Sequence, residues 1–480
     1  MTDFIRNVLV PAPGDRFAYL TPSEPPSYER VDITIEGEII SALSPAGFAN
    51  NQTANEIDGS GKLLLPGWVN AHTHSPEMWV RGLIPPLPLE LWLAELYSYP
   101  LQGPQQTYVS ALLTAVETLL SGGTTVVDHL VLLPGRELEA IDAAVRAYRE
   151  AGIRAYVAPL IQDEPFEWSV PEGQTLPVQV PPPKTKDVLA LMQQAIAAYH
   201  RPQEGIEIAL APTGIQMCSD DLFAGCLELS QQHGLCRHSH LLETPAQEQL
   251  AREKYGMTAV AHLHELGFLG PEASFAHCVW LNDRDIELMA ATGATVVHNP
   301  LSNLRLGSGI APVLKYLERG VNVSFGCDGA ASNDGQSLFE VLKIGSMLHN
   351  ITDRDYRHWV SPQWVAHLAS VGGAKGLNAS HFGRLAVGQQ ADLVLYDLDV
   401  LSLLPHTDPL GQLIWGRAEG AVDRVWVRGQ SVVVSGQPVN VAITDLKSQI
   451  AAFDGWLNHR QSGMRERLEP HYRRVMGLPA

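Results

Sequence analysis

Leu63-Leu64-Leu65-Pro66-Gly67-Trp68-Val69-Asn70-Ala71-His72-Thr73-His74-Ser75 is an apolar run that ends on two histidines flanking a threonine. A short apolar run bounded by turn residues has the character of a buried strand. Further runs of this kind lie at 124–130, 154–161, 206–214, 236–243, 273–281, 294–300 and 322–329. Between them lie stretches of helical period, among them 105–121, 136–151, 187–200, 220–232, 282–291 and 311–319. Glycines such as Gly122, Gly123 and Gly152 punctuate the joins. Strands that alternate with helices make a parallel sheet, and eight such units over ~280 residues predict a closed (β/α)8 barrel of TIM type. An open doubly wound sheet would carry a glycine-rich GxGxxG turn after the first strand, and none stands there.

Outside the barrel the pattern changes. Residues 31–40, 392–397 and 422–429 alternate apolar and polar side chains over short stretches. They predict a small β-sandwich domain assembled from both chain ends, 1–64 and 382–440. The barrel then occupies 65–381, and 441–480 form a helical tail. Residues 162–186 include Pro181-Pro182-Pro183 and resist regular structure. A segment of that length after the third strand is either a lid over the barrel mouth or a surface insertion.

Composition excludes several classes. The 480 residues are 45% hydrophobic and 18% charged, as in a chain with a substantial core. With 33 basic and 52 acidic residues the formal charge is −19, which repels phosphate backbones and anionic membrane surfaces. No apolar run approaches the ~20 residues of a membrane span. The N-terminus, Met1-Thr2-Asp3-Phe4-Ile5-Arg6, lacks the pattern of a signal peptide. The five cysteines at 218, 226, 236, 278 and 327 contain no CxxC pair. They predict reduced thiols and a cytoplasmic protein.

Catalytic groups of such barrels sit at the C-terminal ends of the strands. Here those ends read His72-Thr73-His74, Asp128-His129, His238-Ser239-His240-Leu241-Leu242-Glu243, Ala276-His277-Cys278, His298-Asn299-Pro300 and Gly326-Cys327-Asp328-Gly329. Strand side chains alternate, so His72 and His74 point the same way. On the last strand Ser324, Gly326 and Asp328 share the inward parity. A third imidazole from the fifth strand, His238 or His240, completes a His3Asp set suited to a divalent transition metal. His240 is preferred, being nearer the mouth and closer to Glu243. A lone His-x-His is most often incidental; coincidence at the same depth on four strands is not.

These residues also carry a resemblance. Pro66-Gly67-Trp68-Val69-Asn70-Ala71-His72-Thr73-His74, Ser121-Gly122-Gly123-Thr124-Thr125, His240-Leu241-Leu242-Glu243-Thr244, His298-Asn299-Pro300-Leu301-Ser302-Asn303 and Asp328-Gly329-Ala330-Ala331-Ser332-Asn333 are similar to motifs of the amidohydrolase superfamily. The closest likeness is to its cytosine deaminase-like branch of deaminases and chlorohydrolases, over residues ~30 to ~435. The resemblance implies one divalent metal per chain, Zn2+ with Fe2+ as the alternative, on His72, His74, His240 and Asp328. It assigns proton transfer to Glu243 and contact with the water or substrate to His277. Strand four has no inward lysine to bridge a second metal. The implied reaction is hydrolytic deamination of an amino-substituted nitrogen heterocycle, such as a purine or pyrimidine base, a pterin or a triazine, with release of ammonia. The alternatives are a chlorohydrolase, a cyclic-amide hydrolase, or a metal-free binding paralogue. Trp92 in Leu87-Pro88-Leu89-Glu90-Leu91-Trp92, together with His129 and His298, is expected to contact the substrate. Pro100-Leu101-Gln102 replaces the ribose-binding glutamate of adenosine-type deaminases, which favours a free ring. The partner implied is a small heterocycle, with no nucleic acid and no membrane, and the chain is expected to form a homodimer or higher homo-oligomer.

Overall fold

The computed structural model describes residues 2–11, 27–47, 55–100, 102–453, 455–459 and 463–479. The barrel strands are Trp68–Thr73, Gly123–Asp128, Arg154–Val157, Ile206–Ile208, Arg237–Leu241, Ala273–His277, Thr295–His298 and Asn322–Phe325. They form two four-stranded parallel sheets. A parallel bridge between Leu210 and Arg237 joins strand four to strand five. The Asp328 N–H donates to the His72 carbonyl (2.9 Å) and closes strand eight on strand one. With helices over their outer faces, most of these strand residues are buried on both sides, which is why they read as continuous apolar runs. Ser219, Thr244 and Asn282 cap the helices that start beside them, and Gly152, Gly234, Gly256 and Gly293 end helices in the left-handed region.

The barrel floor is apolar. Val69, Ala71, Val127, Tyr156, Ala209 and Val297 pack with Leu377 and Phe382 inside it. Val323, Phe325 and Cys327 join the larger core between strands and helices. This leaves Ser324, Gly326 and Asp328 facing inward, as parity required. Gly326 permits the seam, because a Cβ there would lie 2.8 Å from the His72 Cβ. On strand one parity alone is insufficient. Val69 and Ala71 already point inward, and a register irregularity between Asn70 and Thr73 lets His72 do so as well.

Both chain ends build one hydrogen-bonded sheet of nine strands. Lys62–Pro66 pairs antiparallel with Leu393–Asp397, stitching the N-terminal strands to the C-terminal ones. Ile5, Val31, Ile33, Leu64, Leu393, Leu395 and Trp426 share its core. A buried ion pair, Arg154–Asp392 (2.9 Å), fixes barrel strand three to this domain. Residues 441–479 add the helices Ile443–Ala451 and Met464–Val475. No helix among the described residues is long and apolar enough to cross a membrane.

Candidate active site

The strand ends bring His72, His74, His240 and Asp328 to one point. Asp328 Oδ1 lies 3.3 Å from His72 Nε2 and 3.5 Å from His74 Nε2. His74 Nε2 lies 3.2 Å from His240 Nε2. Donor atoms held ~2.1 Å from a common ion at tetrahedral angles stand ~3.4 Å apart, so the spacing suits a zinc-sized ion.

The far ring nitrogens orient each ligand. His74 Nδ1 donates to the His129 carbonyl (2.7 Å) and His240 Nδ1 to the Thr213 carbonyl (2.8 Å). His72 Nδ1 meets His238 Nε2 (2.8 Å), and His238 Nδ1 meets Ser274 Oγ (2.7 Å). These bonds leave the three Nε2 lone pairs facing the centre. His72 Nε2 is buried with no hydrogen-bond partner, as expected of an atom built to ligate. The two fifth-strand candidates thus separate: His240 reaches the centre, and His238 stands behind His72.

Burial drives the electrostatics. It depresses His72 to about 4 and holds His238 and His240 well below the ordinary imidazole value. The rings are therefore neutral at pH 7, the form that binds metal. Burial would raise Asp328, but the rings of His72, His277 and His74 around it hold it well below the usual carboxylate range. Glu243 moves the other way, raised by burial and by the charge of Asp328. Its Oε1 accepts from Ser308 Oγ (3.1 Å), and its Oε2 lies 3.4 Å from His277 Nε2. His277 Nδ1 donates to Asn303 Oδ1 (2.8 Å), so its Nε2 faces Glu243 and Asp328. His277 and Asp328 both adopt positive φ, at 74° and 61°, a costly backbone that aims them across the mouth.

Above this ring opens a cleft enclosing about 620 Å3, walled by Trp92, Leu93, Leu96, Tyr97, Met217 and Leu306 and floored by His74, His240, Glu243, His277 and Asp328. A metal-dependent hydrolase requires this arrangement, with several neutral imidazoles and one ionised carboxylate converging beneath a cleft that holds a proton-carrying carboxyl.

A model of the amidohydrolase family matches residues 63–432. This chain belongs to the amidohydrolase family. It is 33% identical over 397 residues to the 5′-deoxyadenosine deaminase of Methanosarcina mazei, covering 81% of this chain and 85% of that protein. It is 32% identical over 409 residues to the 8-oxoguanine deaminase of Pseudomonas aeruginosa, covering 84% and 89%. The crystal structure of atrazine chlorohydrolase from Arthrobacter aurescens, complexed with zinc, superposes with a TM-score of 0.84 at 26% identity, covering 94% of this chain and 99% of that one.

Two expected substrate contacts in this amidohydrolase, His129 and His298, stand outside the cleft lining. His129 does not line the cleft; its ring stacks behind His74 and His240, and its Nε2 bonds the Ala211 carbonyl (3.2 Å). His298 points out of the barrel, because Val297 takes the inward parity, and it packs on Phe325 and His349. Trp92 does wall the cleft, with its indole N–H unpartnered. Within Pro100-Leu101-Gln102, Leu101 lies outside the described residues, and Gln102 donates to the Pro76 carbonyl (2.7 Å).

Sequence reasoning missed Glu77. It is buried in the cleft with Oε2 accepting from Ala331 N (3.2 Å), and burial and the Asp328 charge push its carboxyl well up. Gly329 makes room for it, since a Cβ there would fall 1.8 Å from Oε2. The available signal was a carboxylate three residues past the His-x-His. Asn303 was visible only as a motif letter, without the hydrogen bond that orients His277, and Ser308, which bonds Glu243, gave no signal of its own.

Proposed function

We propose that this amidohydrolase is an aminohydrolase that removes ammonia from an amino-substituted nitrogen heterocycle, with Zn2+ held by His72, His74, His240 and Asp328. The observation that carries the reading is the convergence of those four donors beneath Glu243 and His277. When bound, the cation supplies Lewis acidity that lets water attack at neutral pH. The residues then divide the work. Asp328, held ionised, accepts a hydrogen bond from the attacking water and directs it. Glu243, a carboxyl that binds protons readily, passes one proton of the water through Oε2 to the ring nitrogen, then takes the second from the new hydroxyl group and gives it to the amine, which leaves as ammonia. His277, kept neutral by burial and oriented by Asn303, accepts a hydrogen bond at Nε2 beside the reacting carbon. Trp92 and the leucines stack on the flat ring and exclude water.

The wall also narrows the substrate. No lysine or arginine lines the cleft among the described residues, whereas Glu77, Glu243 and Asp328 do. Phosphorylated or carboxylated substrates would find no basic side chain there to pair with, so a neutral or cationic ring rich in N–H donors fits best. Metal analysis coupled to an ammonia-release screen over purines, pyrimidines, pterins and triazines tests the reading. About one zinc per chain with ammonia release supports it; metal-free purified protein or no ammonia from any ring refutes it. The likeness to atrazine chlorohydrolase favours a second reading, displacement of ring chloride, and chloride release from atrazine without ammonia release from any amine would establish that instead.

A further inference from the structure

The helix Met464–Val475 packs against the helix Leu89–Leu96, which carries Trp92, Leu93 and Leu96 into the cleft. Its Leu468 and Tyr472 are buried with Leu91, Ala94, Val170 and Ala246. That small core joins four elements: the tail, the back of the cleft helix, the proline-rich 162–186 segment, and the first turn of the helix after Glu243. The 162–186 segment contributes nothing to the cleft lining and braces the cleft helix from outside, with Phe166 edge-on to Tyr97.

Polar ties follow the same path. His471 Nε2 donates to the Pro171 carbonyl (2.8 Å), and Arg474 pairs with Glu172 (2.9 Å). Glu90, on the cleft helix, is 2% exposed and accepts from Thr244 Oγ1 at 2.5 Å. The Tyr472 hydroxyl lies beside the same carboxyl, whose Oε2 has no partner at bonding distance. Thr244 caps the helix Pro245–Tyr255 by accepting from Gln247 N (3.3 Å), and Gln247 Oε1 accepts from the Glu243 N–H (2.8 Å). Barrel closure requires none of this. The exposed ion pair contributes little on its own, but a carboxyl hydrogen-bonded out of water is geometrically demanding.

We propose that the C-terminal helix is a strap that fixes the cleft helix and, through Glu90 and Thr244, the carboxyl of Glu243. Glu90, Thr244 and Tyr472 are positioning residues, and the inference rests on Glu243 being the proton carrier. The test uses full-length, zinc-loaded protein, ammonia release from 8-oxoguanine and 5′-deoxyadenosine, and hydrogen exchange read by mass spectrometry. Leu468→Ala/Tyr472→Ala should speed exchange of residues 89–96 about tenfold while 273–277 stay protected. Thr244→Val should lower kcat about tenfold with KM little changed, and Thr244→Ser should restore it, a split that general destabilisation would not give. Unchanged exchange at 89–96, or equal kcat for the valine and serine variants, overturns the proposal. Should the double variant not fold, Tyr472→Phe replaces it, and unchanged exchange at 89–96 in that variant is equally fatal. Absence of turnover in the wild-type enzyme counts against the aminohydrolase reading for these two rings, while the exchange experiment still decides the strap.

Discussion

At the floor of the barrel, Val69, Ala71, Val127, Tyr156, Val297 and Phe382 fill the interior with hydrocarbon and aromatic rings. At the opposite end of the barrel, the mouth buries His72, His238, His277, Glu243 and Asp328, with His240 half-buried among them. The floor gains stability from every buried atom. The mouth gains little, because each desolvated imidazole or carboxyl must be repaid by a partner or a ligand. Strand order and helix packing are shared by both ends, so the difference lies in side chains alone. One end holds the barrel together while the other stores the cost of reactivity.

That division can be broken by experiment. Glu243→Gln should retain metal and lose roughly 10²–10⁴-fold in kcat, measured by ammonia release beside elemental analysis; full activity would remove its assigned role. Phe382→Ala should cost about 3–5 kcal/mol in denaturant unfolding yet leave the zinc affinity of the folded protein unchanged. A parallel fall in zinc affinity would show that floor and mouth are not separable.

Acid should act through buried imidazoles. His349, packed on His298, is depressed by burial to about 4. Between pH 6.5 and 4 the unfolded chain binds a proton there that the folded chain refuses, so stability falls as pH drops through that window. The group's share is about 2–3 kcal/mol at pH 4.5. His349→Gln should narrow the difference between unfolding free energies at pH 7 and pH 4.5 by that amount, and an unaltered difference would dismiss the assignment. The smallest effect is expected at His238→Ala, which removes the support behind His72 and should weaken zinc binding about 10–100-fold without unfolding the barrel. A loss as complete as that of His240→Ala would make His238 a ligand rather than a brace.

The barrel and the convergence of histidines and Asp328 at its mouth were legible because strand parity and strand-end position are properties of sequence spacing. Asp328 needed nothing more, whereas His72 faces inward only because of the register irregularity in strand one. The outward direction of His298 is not legible, because a four-residue strand gives no internal check on which face is inward, and only Val297 in the floor core shows it. His277 reaches the centre through a left-handed backbone that no residue pattern announces. Glu77 lies in the short 3-10 helix Ser75–Val80, too brief to show a period in the sequence. The path from Tyr472 to Thr244 joins residues distant in sequence, and such contacts leave no local trace in either segment.

The seam where Asp328 N–H meets the His72 carbonyl has a consequence for the order of events in folding. Thr73 and Asp328, which also bond there, are 255 residues apart in sequence, so this is among the most expensive loops the chain closes. Because the donors lie on both sides of that seam, a barrel not yet closed there presents three histidines but not the fourth ligand. Full coordination thus becomes a proof of completed folding, and an ion bound there acts as a rivet between the first and last strands, adding its binding free energy where the ring of strands is most easily parted.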